Sequence, residues 1–375
     1  MKITIIGWYG TETIGDRAIL SGIITVLSHI YGDIHVKLGS LFPFFSERTV
    51  HEDYELWEKL SGKKIKIELF DSKIPKELNL SVKNSDILVM GGGPLMHIQE
   101  MHMIDYAFKR AKKFNKKTII FGCGIGPIFN KNYHKVLISI LKNADVSFIR
   151  DNQSVSTLEK IKKGTDLLNH KQVIVSHDPA IIPCLYCKEK HIAKKEDFIA
   201  VNLRKFPGSY SKSNHSIDKL LIDFLNNIPN QNELKIKLIP MHYFAAGNDD
   251  REYFYHLLDK IENKSKVEIQ NVPLNVEQTL KLFANAEYNV GMRYHSVLFQ
   301  TVMNGNNYII DYTEPKKGKI SGFISSIDKN NFYTDRYINL QQNQDIDFKF
   351  SEEKFTIDIS LNDVIENSYF ELNHL

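Results

Sequence analysis

Short apolar runs alternate with longer amphipathic stretches along the N-terminal half of the chain. The apolar runs predict buried strands, and helical patterns fill most of the gaps between them, for example at residues 102–114 and 133–143. The predicted strands are residues 2–6, 35–39, 64–70, 86–90, 117–122, 146–150 and 172–176. Because strands alternate with helices, we expect a parallel sheet that is covered by helices on both faces.

The same alternation begins again in the C-terminal half. The predicted strands there are residues 198–203, 234–240, 266–270, 287–290 and 307–311, and the predicted helices are 212–228, 249–260, 276–284, 296–304 and a terminal helix within 357–375 that packs back. Between the two runs, residues 181–197 contain Pro183 and a charged, polar stretch, which predicts a linker. The sequence therefore predicts two α/β domains, residues 1–185 and 195–375.

Composition agrees with this organisation and excludes several classes of protein. A chain of 375 residues is too long for one ordinary core, and its 42% hydrophobic and 25% charged residues are typical of a globular protein. The net charge of +3 is too small to predict nucleic-acid binding. No apolar run reaches the ~18 residues of a membrane span, and the N-terminus lacks the pattern of a signal peptide. Three cysteines do not make a disulfide framework, so we expect a cytoplasmic protein.

Glycine-rich loops follow three of the predicted N-terminal strands, at residues 7–16, 91–93 and 122–126. Glycines let a backbone approach a ligand closely, and the helix that follows such a loop favours an anion. The spacing matches neither the dinucleotide nor the ATP-binding pattern. The alternative is a tight turn with Asp16 as the helix cap. The candidate substrate-binding residues here are Gly10, Gly15, Asp16, Gly91, Gly92 and Gly93.

Arginines are scarce, at eight among 48 basic residues, yet three of them fall at the ends of predicted strands. These are Arg150, Arg204 and Arg293. Lysine would serve for solubility, so arginine at these positions indicates that the planar guanidinium was needed, as in bidentate recognition of a carboxylate or phosphate. For Arg150, a salt bridge to Asp151 is the alternative.

Arg293 and His295 lie where a predicted strand meets the start of a predicted helix. In an open α/β sheet, ligands bind at such strand ends, and a helix N-terminus favours an anion. Histidine can exchange a proton near neutral pH, so the pair predicts an anion site with a proton donor beside it. The alternative is that Arg293 pairs with a surface acid and His295 only caps the helix.

Two further substrate-binding candidates are weaker. His242 follows the strand predicted at 234–240, although a loop histidine is often only hydrogen-bonded to its surroundings. Lys319 lies in a basic, glycine-containing stretch, residues 312–323, which we expect to be a loop that closes over an anion or is simply solvated.

The motifs in chain order resemble those of the polysaccharide pyruvyl transferase family. The matching segments are GWYGTETIGDRAIL, ILVMGGGPL, TIIFGCGIGP, SFIRD, HDPA, VNLR, GMRYH and KISGF, which span residues 2 to about 323. The family often has Asn where Thr13 stands here, and commonly Leu where Tyr294 stands.

The resemblance implies two Rossmann-like domains that face a central cleft, as in GT-B glycosyltransferases. It also implies transfer of the enolpyruvyl group of phosphoenolpyruvate to sugar hydroxyls of a cell-surface polysaccharide or its precursor, giving a pyruvate ketal. The N-terminal domain would then form the acceptor side, with Arg204 and Arg293 as donor clamps and His295 as the acid. The chemistry demands no metal and no cofactor.

The acceptor implied by the resemblance is a saccharide or a lipid-linked saccharide. A lipid-linked acceptor would place the enzyme peripherally at the inner face of the membrane, and the sequence leaves both this and the oligomeric state open. Two alternatives also stay open: a GT-B glycosyltransferase that uses a nucleotide sugar, and a non-catalytic relative that binds carbohydrate.

Overall fold

The protein is described by a computed structural model that covers residues 1–162, 172–206, 214–231, 234–244, 248–343 and 345–374. The chain divides into two compact units. The first unit comprises Met1–Pro183 together with Ile359–Leu375, and the second unit comprises Cys184–Asp358. No helix of the described residues is long and apolar enough to cross a bilayer.

In the first unit, the described residues form a parallel sheet of seven strands. The strands are β1 (Lys2–Ile6), β2 (His35–Ser40), β3 (Lys66–Asp71), β4 (Ile87–Met90), β5 (Lys117–Cys123), β6 (Val146–Ile149) and β7 (Gln172–Val175). Their spatial order is β3-β2-β1-β4-β5-β6-β7, so the direction of growth reverses between β1 and β4. Ligands of such sheets bind at the carboxyl edge near this reversal.

The helices of the first unit cover its sheet. They are α1 (Ile14–Tyr31), α2 (Pro43–Ser61), α3 (Pro75–Lys83), α4 (Met101–Lys113), α5 (Lys131–Lys142), α6 (Asn152–Lys162) and the start of α7 (Ile181–Lys190). Helix α4 shows why these segments are helical, because Met101, Ile104, Ala107, Phe108 and Ala111 recur at three- and four-residue spacing and are all buried. That spacing places the apolar side chains on one face of the helix.

In the second unit, the described residues form a parallel sheet of six strands in the order β10-β9-β8-β11-β12-β13. The strands are β8 (Glu196–Asn202), β9 (Lys235–Leu238), β10 (Val267–Ile269), β11 (Ala286–Gly291), β12 (Asn307–Asp311) and β13 (Tyr337–Asn339). The helices are α8 (Asn214–Gln231), α9 (Asp250–Leu258), α10 (Val276–Asn285), α11 (Tyr294–Met303) and α12 (Lys319–Ile327). The reversal here lies between β8 and β11, the strands that precede Arg204 and Arg293.

The α/β class and the parallel sheets are confirmed. The division between the two units falls between Pro183 and Cys184, within the predicted linker 181–197, but regular structure occupies most of that segment. Residues 181–190 form α7, in which Cys184 and Cys187 are buried, and β8 begins at Glu196. Pro183 does not end this helix, because it lies in the first turn, where proline costs no hydrogen bond.

The C-terminal residues also differ from the prediction. Residues 359–375 belong to the first unit, not to the predicted domain 195–375, and they form a π-helical turn (Asp363–Asn367) and a 3₁₀ helix (Phe370–His374) instead of one regular helix. Tyr369 anchors this segment. Its ring centroid lies 4.4 Å from that of Phe121 and 5.1 Å from that of Phe148, and its hydroxyl donates to the carbonyl of His177 at 2.7 Å.

Two smaller differences concern length and type of element. The second half of the predicted loop 312–323 is the start of α12. Strand β13, at the edge of the second sheet, was not predicted because its three residues give too short an apolar pattern.

Candidate active site

Arg293 occupies the residue between the end of β11 and the start of α11. Its backbone is extended, and its backbone N–H donates to Oδ1 of Asn202 at 3.1 Å, at the end of the neighbouring strand β8. Its carbonyl accepts a hydrogen bond from the hydroxyl of Ser296 at 2.7 Å. The position of Arg293 is therefore fixed by an adjacent strand and by the first turn of its own helix.

The guanidinium of Arg293 is held by the buried carboxylate of Asp250. Nε donates to both carboxylate oxygens, at 2.9 and 3.1 Å, and Nη2 donates to Oδ1. Oδ2 of Asp250 also accepts the backbone N–H groups of Met241 and His242, at 3.0 and 3.1 Å. A carboxylate with this many donors is fixed in orientation, and it fixes the guanidinium in turn.

Asp250 also keeps the guanidinium of Arg293 protonated. Burial by itself would lower the pKa of Arg293, but the negative charge and the hydrogen bonds of Asp250 raise that pKa above its ordinary value. Arg293 is therefore a permanent cation. Its partner is not the surface acid that the alternative supposed, since the Asp250 side chain is 2% exposed. The described residues offer no acceptor to Nη1 of Arg293, so that nitrogen can serve a ligand.

Arg204 lies at the same edge of the second sheet. It follows β8, its Nη1 donates to the hydroxyl of Tyr312 at 3.0 Å, and its guanidinium carbon lies 5.1 Å from the centre of the Tyr312 ring. Tyr312 follows β12, and its phenol also contributes to the raised pKa of Arg293. The two arginines thus come from neighbouring strands and share Tyr312 as a neighbour.

His295 is the second residue of α11 and is partly buried. Its ring contacts those of Tyr294 and Phe299, with centroids 5.0 and 6.1 Å away. The N-cap residue of α11 is Arg293, so His295 does not occupy the capping position. The prediction that Arg293 and His295 lie where a strand end meets the start of a helix is confirmed, and the role of His295 as a proton donor stays a prediction.

His242 follows β9, as predicted, whereas Lys319 differs from the predicted loop. His242 is buried and supports Asp250 through its backbone, since its carbonyl accepts the Asp250 N–H at 3.0 Å and its own N–H donates to the Asp250 carboxylate. Lys319 is the first residue of α12, not part of an open loop. Whether either side chain contacts substrate stays a prediction.

In the first unit, the glycines of two loops allow close packing between those loops. A Cβ at Gly7 would lie 1.8 Å from the carbonyl oxygen of Gly91, and one at Gly93 would lie 2.5 Å from the Trp8 ring. Gly92 and Gly93 both have φ near +90°, which side chains disfavour. Trp8 donates from Nε1 to the carbonyl of Pro94 at 3.0 Å, joining the loops after β1 and β4.

The other candidates in the first loop are also closely packed. Gly10, at φ +84°, lies against Ser40 and Phe42, while Gly15 and Asp16 belong to the first turn of α1. Asp16 is not the helix cap, a position that Thr13 holds without a side-chain bond. Packing alone explains Gly10, and a role for Gly10, Gly15 and Asp16 in substrate binding stays a prediction.

Arg150 has the salt bridge that the alternative proposed. Its side chain is 2% exposed, and it donates from Nε to Asp151 at 3.2 Å and from Nη1 to Asp178 at 3.1 Å. A Cβ at Gly124 would lie within 3 Å of the guanidinium, so the loop after β5 covers it. The structure thus gives Arg150 a role in joining loops, and its assignment to substrate binding loses its support.

Two groups of supporting residues were missed by the sequence interpretation. Asp250, Asn202 and Tyr312 hold the arginines, and the signal for Asp250 was its place at the start of the helix that follows β9 in the chain. The second group holds the first glycine loop: Glu12, at φ +58°, accepts Nη1 of Arg48 at 2.9 Å, and Arg17 pairs with Asp53 at 2.6 Å. Nothing in local sequence showed these partners.

Metal binding has no visible basis in the part of the chain that the structure describes. No group of three or more His, Cys, Asp or Glu side chains there could hold a metal ion. The site instead consists of guanidinium groups, one imidazole and backbone N–H groups at the start of α11.

Solved structures with a similar fold include two sugar-nucleotide epimerases. The UDP-GlcNAc 2-epimerase of Methanocaldococcus jannaschii, in complex with UDP-GlcNAc and UDP, has 13% identity and a TM-score of 0.53 over 92% of this chain and 90% of that chain. The UDP-GlcNAc 2-epimerase of Neisseria meningitidis, bound to UDP-GlcNAc, has 11% identity and a TM-score of 0.50 over 86% and 85%. At these identities the likeness concerns the fold, and the chain has the GT-B fold.

The family follows from the sequence itself. The family model described as polysaccharide pyruvyl transferase matches residues 14–314, which includes the glycine loops at 91–93 and 122–126, Arg204, Arg293 and His295. The chain belongs to the polysaccharide pyruvyl transferase family. A search of the curated proteins gives no significant match.

Proposed function

We propose that this transferase moves the enolpyruvyl group of phosphoenolpyruvate onto two hydroxyls of a saccharide and so forms a cyclic pyruvate ketal. The observation that carries the proposal is the convergence of Arg204 and Arg293 at one edge of the second sheet, with His295 beside them, in a chain of this family. Phosphoenolpyruvate carries a carboxylate and a phosphate, and this edge offers two cations for two anionic groups.

The arginine geometry suits this donor. Because Asp250 accepts from the Nε and Nη2 side of Arg293, the guanidinium presents Nη1 in a fixed direction. The first backbone N–H groups of α11 add a partial positive charge beside it. Arg204 is held differently, by hydrogen bonds from Nη1 to the Tyr312 hydroxyl at 3.0 Å and from Nε to the Lys205 carbonyl at 3.4 Å, and supplies the second cation. Preorganised donors of this kind stabilise developing charge without reorganisation.

His295 supplies the proton in the proposed reaction. The methylene carbon of phosphoenolpyruvate takes a proton from the imidazolium, and the positive charge that develops at the adjacent carbon is met by the oxygen of the first sugar hydroxyl. That hydroxyl loses its proton as the new C–O bond forms. The adduct carries a methyl group, the carboxylate, the phosphate and the sugar oxygen on one carbon.

Closure of the ketal by the second hydroxyl completes the proposed reaction. The bond between that carbon and the phosphate oxygen breaks, phosphate leaves with the bonding electrons, and the second hydroxyl adds and loses its proton. One proton has been delivered from His295 to carbon and two have left the hydroxyls. One of these two restores the imidazolium of His295 and the other goes to the departing phosphate, so the products are the ketal and inorganic phosphate. This sequence needs no oxidant and no second cosubstrate.

The test is incubation of the enzyme with phosphoenolpyruvate and a panel of nucleotide-linked and lipid-linked saccharides, followed by mass spectrometry. We expect one acceptor to gain the mass of pyruvic acid less one water, together with one phosphate released per transfer. Calorimetric titration with phosphoenolpyruvate, UDP-GlcNAc and GDP-mannose tests the donor separately. Binding and transfer from a nucleotide sugar, with no response to phosphoenolpyruvate, would overturn the proposal in favour of a glycosyltransferase.

A further inference from the structure

A cavity of about 530 Å³ lies in the first unit, outside the glycine loops. It is bounded by the segment after β3, by the start of α3 and by the first turns of α4. Its volume falls in the range of roughly 300–1,000 Å³ that is usual for small-molecule sites. The segments that bound it follow β3 and β4, so it belongs to the carboxyl edge of the first sheet.

The lining of this cavity combines apolar and polar side chains. Leu78, Met103 and Tyr106 supply apolar surface, while Gln99 and Glu100 supply hydrogen-bonding groups. A carboxylate and an amide beside an apolar floor suit a ligand whose faces are C–H groups and whose edge carries hydroxyls. A sugar ring has this construction, because its hydroxyls project from the rim and leave apolar patches on the ring faces.

Aromatic rings continue the site beyond the cavity. The rings of His97 and Tyr133 are stacked with centroids 3.8 Å apart, and Phe129 lies 5.6 Å from His97 with 70% of its surface exposed. The backbone N–H of Phe129 donates to Nδ1 of His97 at 3.3 Å and so connects the two. We call these three residues, with His102, the aromatic shelf.

His102 joins the shelf to the cavity. Its ring centroid lies 5.4 Å from that of Tyr133, and the same side chain lines the cavity. A ligand that fills the cavity and extends past His102 therefore meets the rings of the shelf next. One sugar ring does not need both features, whereas a saccharide of two or more rings would use both.

We propose that the cavity and the aromatic shelf form an oligosaccharide-binding site, in which one ring lies against Gln99 and Glu100 and the next packs on the shelf. The proposal rests on the proposed function for its biological meaning, since the oligosaccharide would be the acceptor. The binding itself is independent of the donor. A protein partner is a poorer match, because hydrogen-bonding groups interrupt the apolar surface and the exposed ring area is small for a stable interface.

The variants are chosen to remove one flat ring or one charge without disturbing the fold. Phe129→Leu keeps an apolar side chain at an exposed position, and Glu100→Gln keeps the shape of the side chain while it removes the charge. Tyr255→Leu is the matched control, because Tyr255 is an aromatic residue of the second unit with 48% exposure and no part in the shelf. Circular dichroism checks that each variant of the full chain is folded.

The experiment is saturation-transfer NMR followed by calorimetry, with chitobiose, cellobiose, lactose and their methyl monosaccharides as probes. We expect at least one disaccharide to bind the unaltered protein more tightly than its monosaccharide. Phe129→Leu should weaken that binding roughly 2–10-fold, the range for loss of one aromatic contact. Glu100→Gln should weaken it as well, and Tyr255→Leu should leave it unchanged.

Three outcomes would overturn the proposal: no probe binds the unaltered protein, Phe129→Leu binds as well as the unaltered protein, or Tyr255→Leu weakens binding equally. A titration with phosphoenolpyruvate separates this proposal from the proposed function. Donor binding without saccharide binding would overturn the oligosaccharide site alone. Saccharide binding without donor binding would overturn the donor assignment and leave the oligosaccharide site standing.

Discussion

At the residue scale, Arg293 uses its guanidinium in two directions. The Nε side is bonded to Asp250, and Nη1 has no acceptor among the described residues, so in the proposed function it serves the donor. Lysine cannot copy this arrangement, because one ammonium group on a flexible stem cannot hold the carboxylate and present a second nitrogen in a fixed direction. The geometry therefore sharpens the reason why arginine stands here in a chain that otherwise favours lysine.

We predict that Arg293→Lys loses most of its affinity for phosphoenolpyruvate. Loss of charge-assisted hydrogen bonds costs about 1.5–3 kcal/mol, which corresponds to roughly a 10–150-fold weaker donor affinity. Calorimetric titration of the folded variant measures this directly. A dissociation constant within error of the unaltered enzyme would show that Arg293 is not a donor clamp.

His295 carries the proton transfer in the proposed reaction, so we predict a different kinetic signature for it. His295→Gln keeps a hydrogen-bonding side chain but has no transferable proton, and it should lower turnover by about 10²–10⁴. Donor affinity should change little, because both arginines remain. Single-turnover kinetics alongside calorimetry separates the two effects. Near-normal turnover would remove His295 from the mechanism and make His242 the next candidate.

At the scale of elements, the start of α9 acts as a support for the site. Helix α9 contributes no predicted ligand contact, yet its first residue, Asp250, bonds Arg293 and the backbone after β9 at the same time. The neighbouring Asp249 is the N-cap of the same helix and accepts the Arg251 N–H at 2.9 Å. Two adjacent carboxylates thus have separate tasks, one for the site and one for the helix.

We predict that Asp250→Asn weakens donor binding and turnover together, since an amide cannot accept from both sides of the guanidinium and the two backbone N–H groups. The affinity for phosphoenolpyruvate should fall by at least about tenfold. Asp249→Asn is the matched control, and it should leave donor affinity near normal because asparagine is itself a good N-cap. Steady-state kinetics with varied donor tests both. Equal losses in the two variants would assign the effect to α9 as a whole.

At the scale of the whole molecule, the first unit contains both the N-terminal and the C-terminal residues of the sequence. Residues 359–375 pack on the sheet that starts at Lys2, after the second unit has been completed. Tyr369 anchors this segment through Phe121, Phe148 and the carbonyl of His177. The stability of the first unit therefore depends on residues far away in the sequence.

We predict that Tyr369→Ala destabilises the protein by about 3–5 kcal/mol, the usual cost of removing a large buried aromatic side chain. Tyr369→Phe removes only the hydrogen bond and should cost about 1 kcal/mol. Phe370→Ala, at the next residue and with 52% exposure, is the control and should have a small effect. Urea denaturation followed by circular dichroism measures all three. A Tyr369→Ala curve that superimposes on the unaltered one would contradict this anchor.

The backbone carbonyl of His177 accepts the hydrogen bond from the Tyr369 hydroxyl. The imidazole of the same residue predicts that the stability of the protein depends on pH. Burial lowers the pKa of His177 below its usual 6.5, although the charge of Asp178 opposes the shift. As pH falls, the unfolded state therefore binds a proton at His177 before the folded state does. The contribution of neutral His177 to the free energy of unfolding is present above about pH 6.5 and is lost as pH falls through the folded-state pKa.

The test compares urea midpoints between pH 7.5 and pH 5 for the unaltered protein and His177→Gln. We predict a smaller loss of stability in the variant, because glutamine does not titrate and the backbone carbonyl that meets Tyr369 is kept. Parallel curves for the two proteins would mean that the folded state leaves the His177 pKa unperturbed.

The sequence by itself determined the α/β class, most of the strands and helices, and the edge of the second sheet at which Arg204, Arg293 and His295 lie. Apolar runs and amphipathic periods located the strands and helices because those patterns follow from which faces of a strand or helix are buried. Arg204, Arg293 and His295 could be selected because residues at the ends of parallel strands meet at one edge. These are local or topological consequences, so they can be read without coordinates.

Only the tertiary structure decided which partners the charged groups meet. Asp250 is 43 residues from Arg293, Asp178 is 28 residues from Arg150, and His177 is 192 residues from Tyr369. Arginine therefore has different surroundings at the two positions. The guanidinium of Arg293 is bonded to Asp250 on one side, whereas the guanidinium of Arg150 is buried and joins loops through Asp151 and Asp178. Which of the two arises depends on the side chains that packing brings within hydrogen-bond distance, and no local pattern encodes that distance.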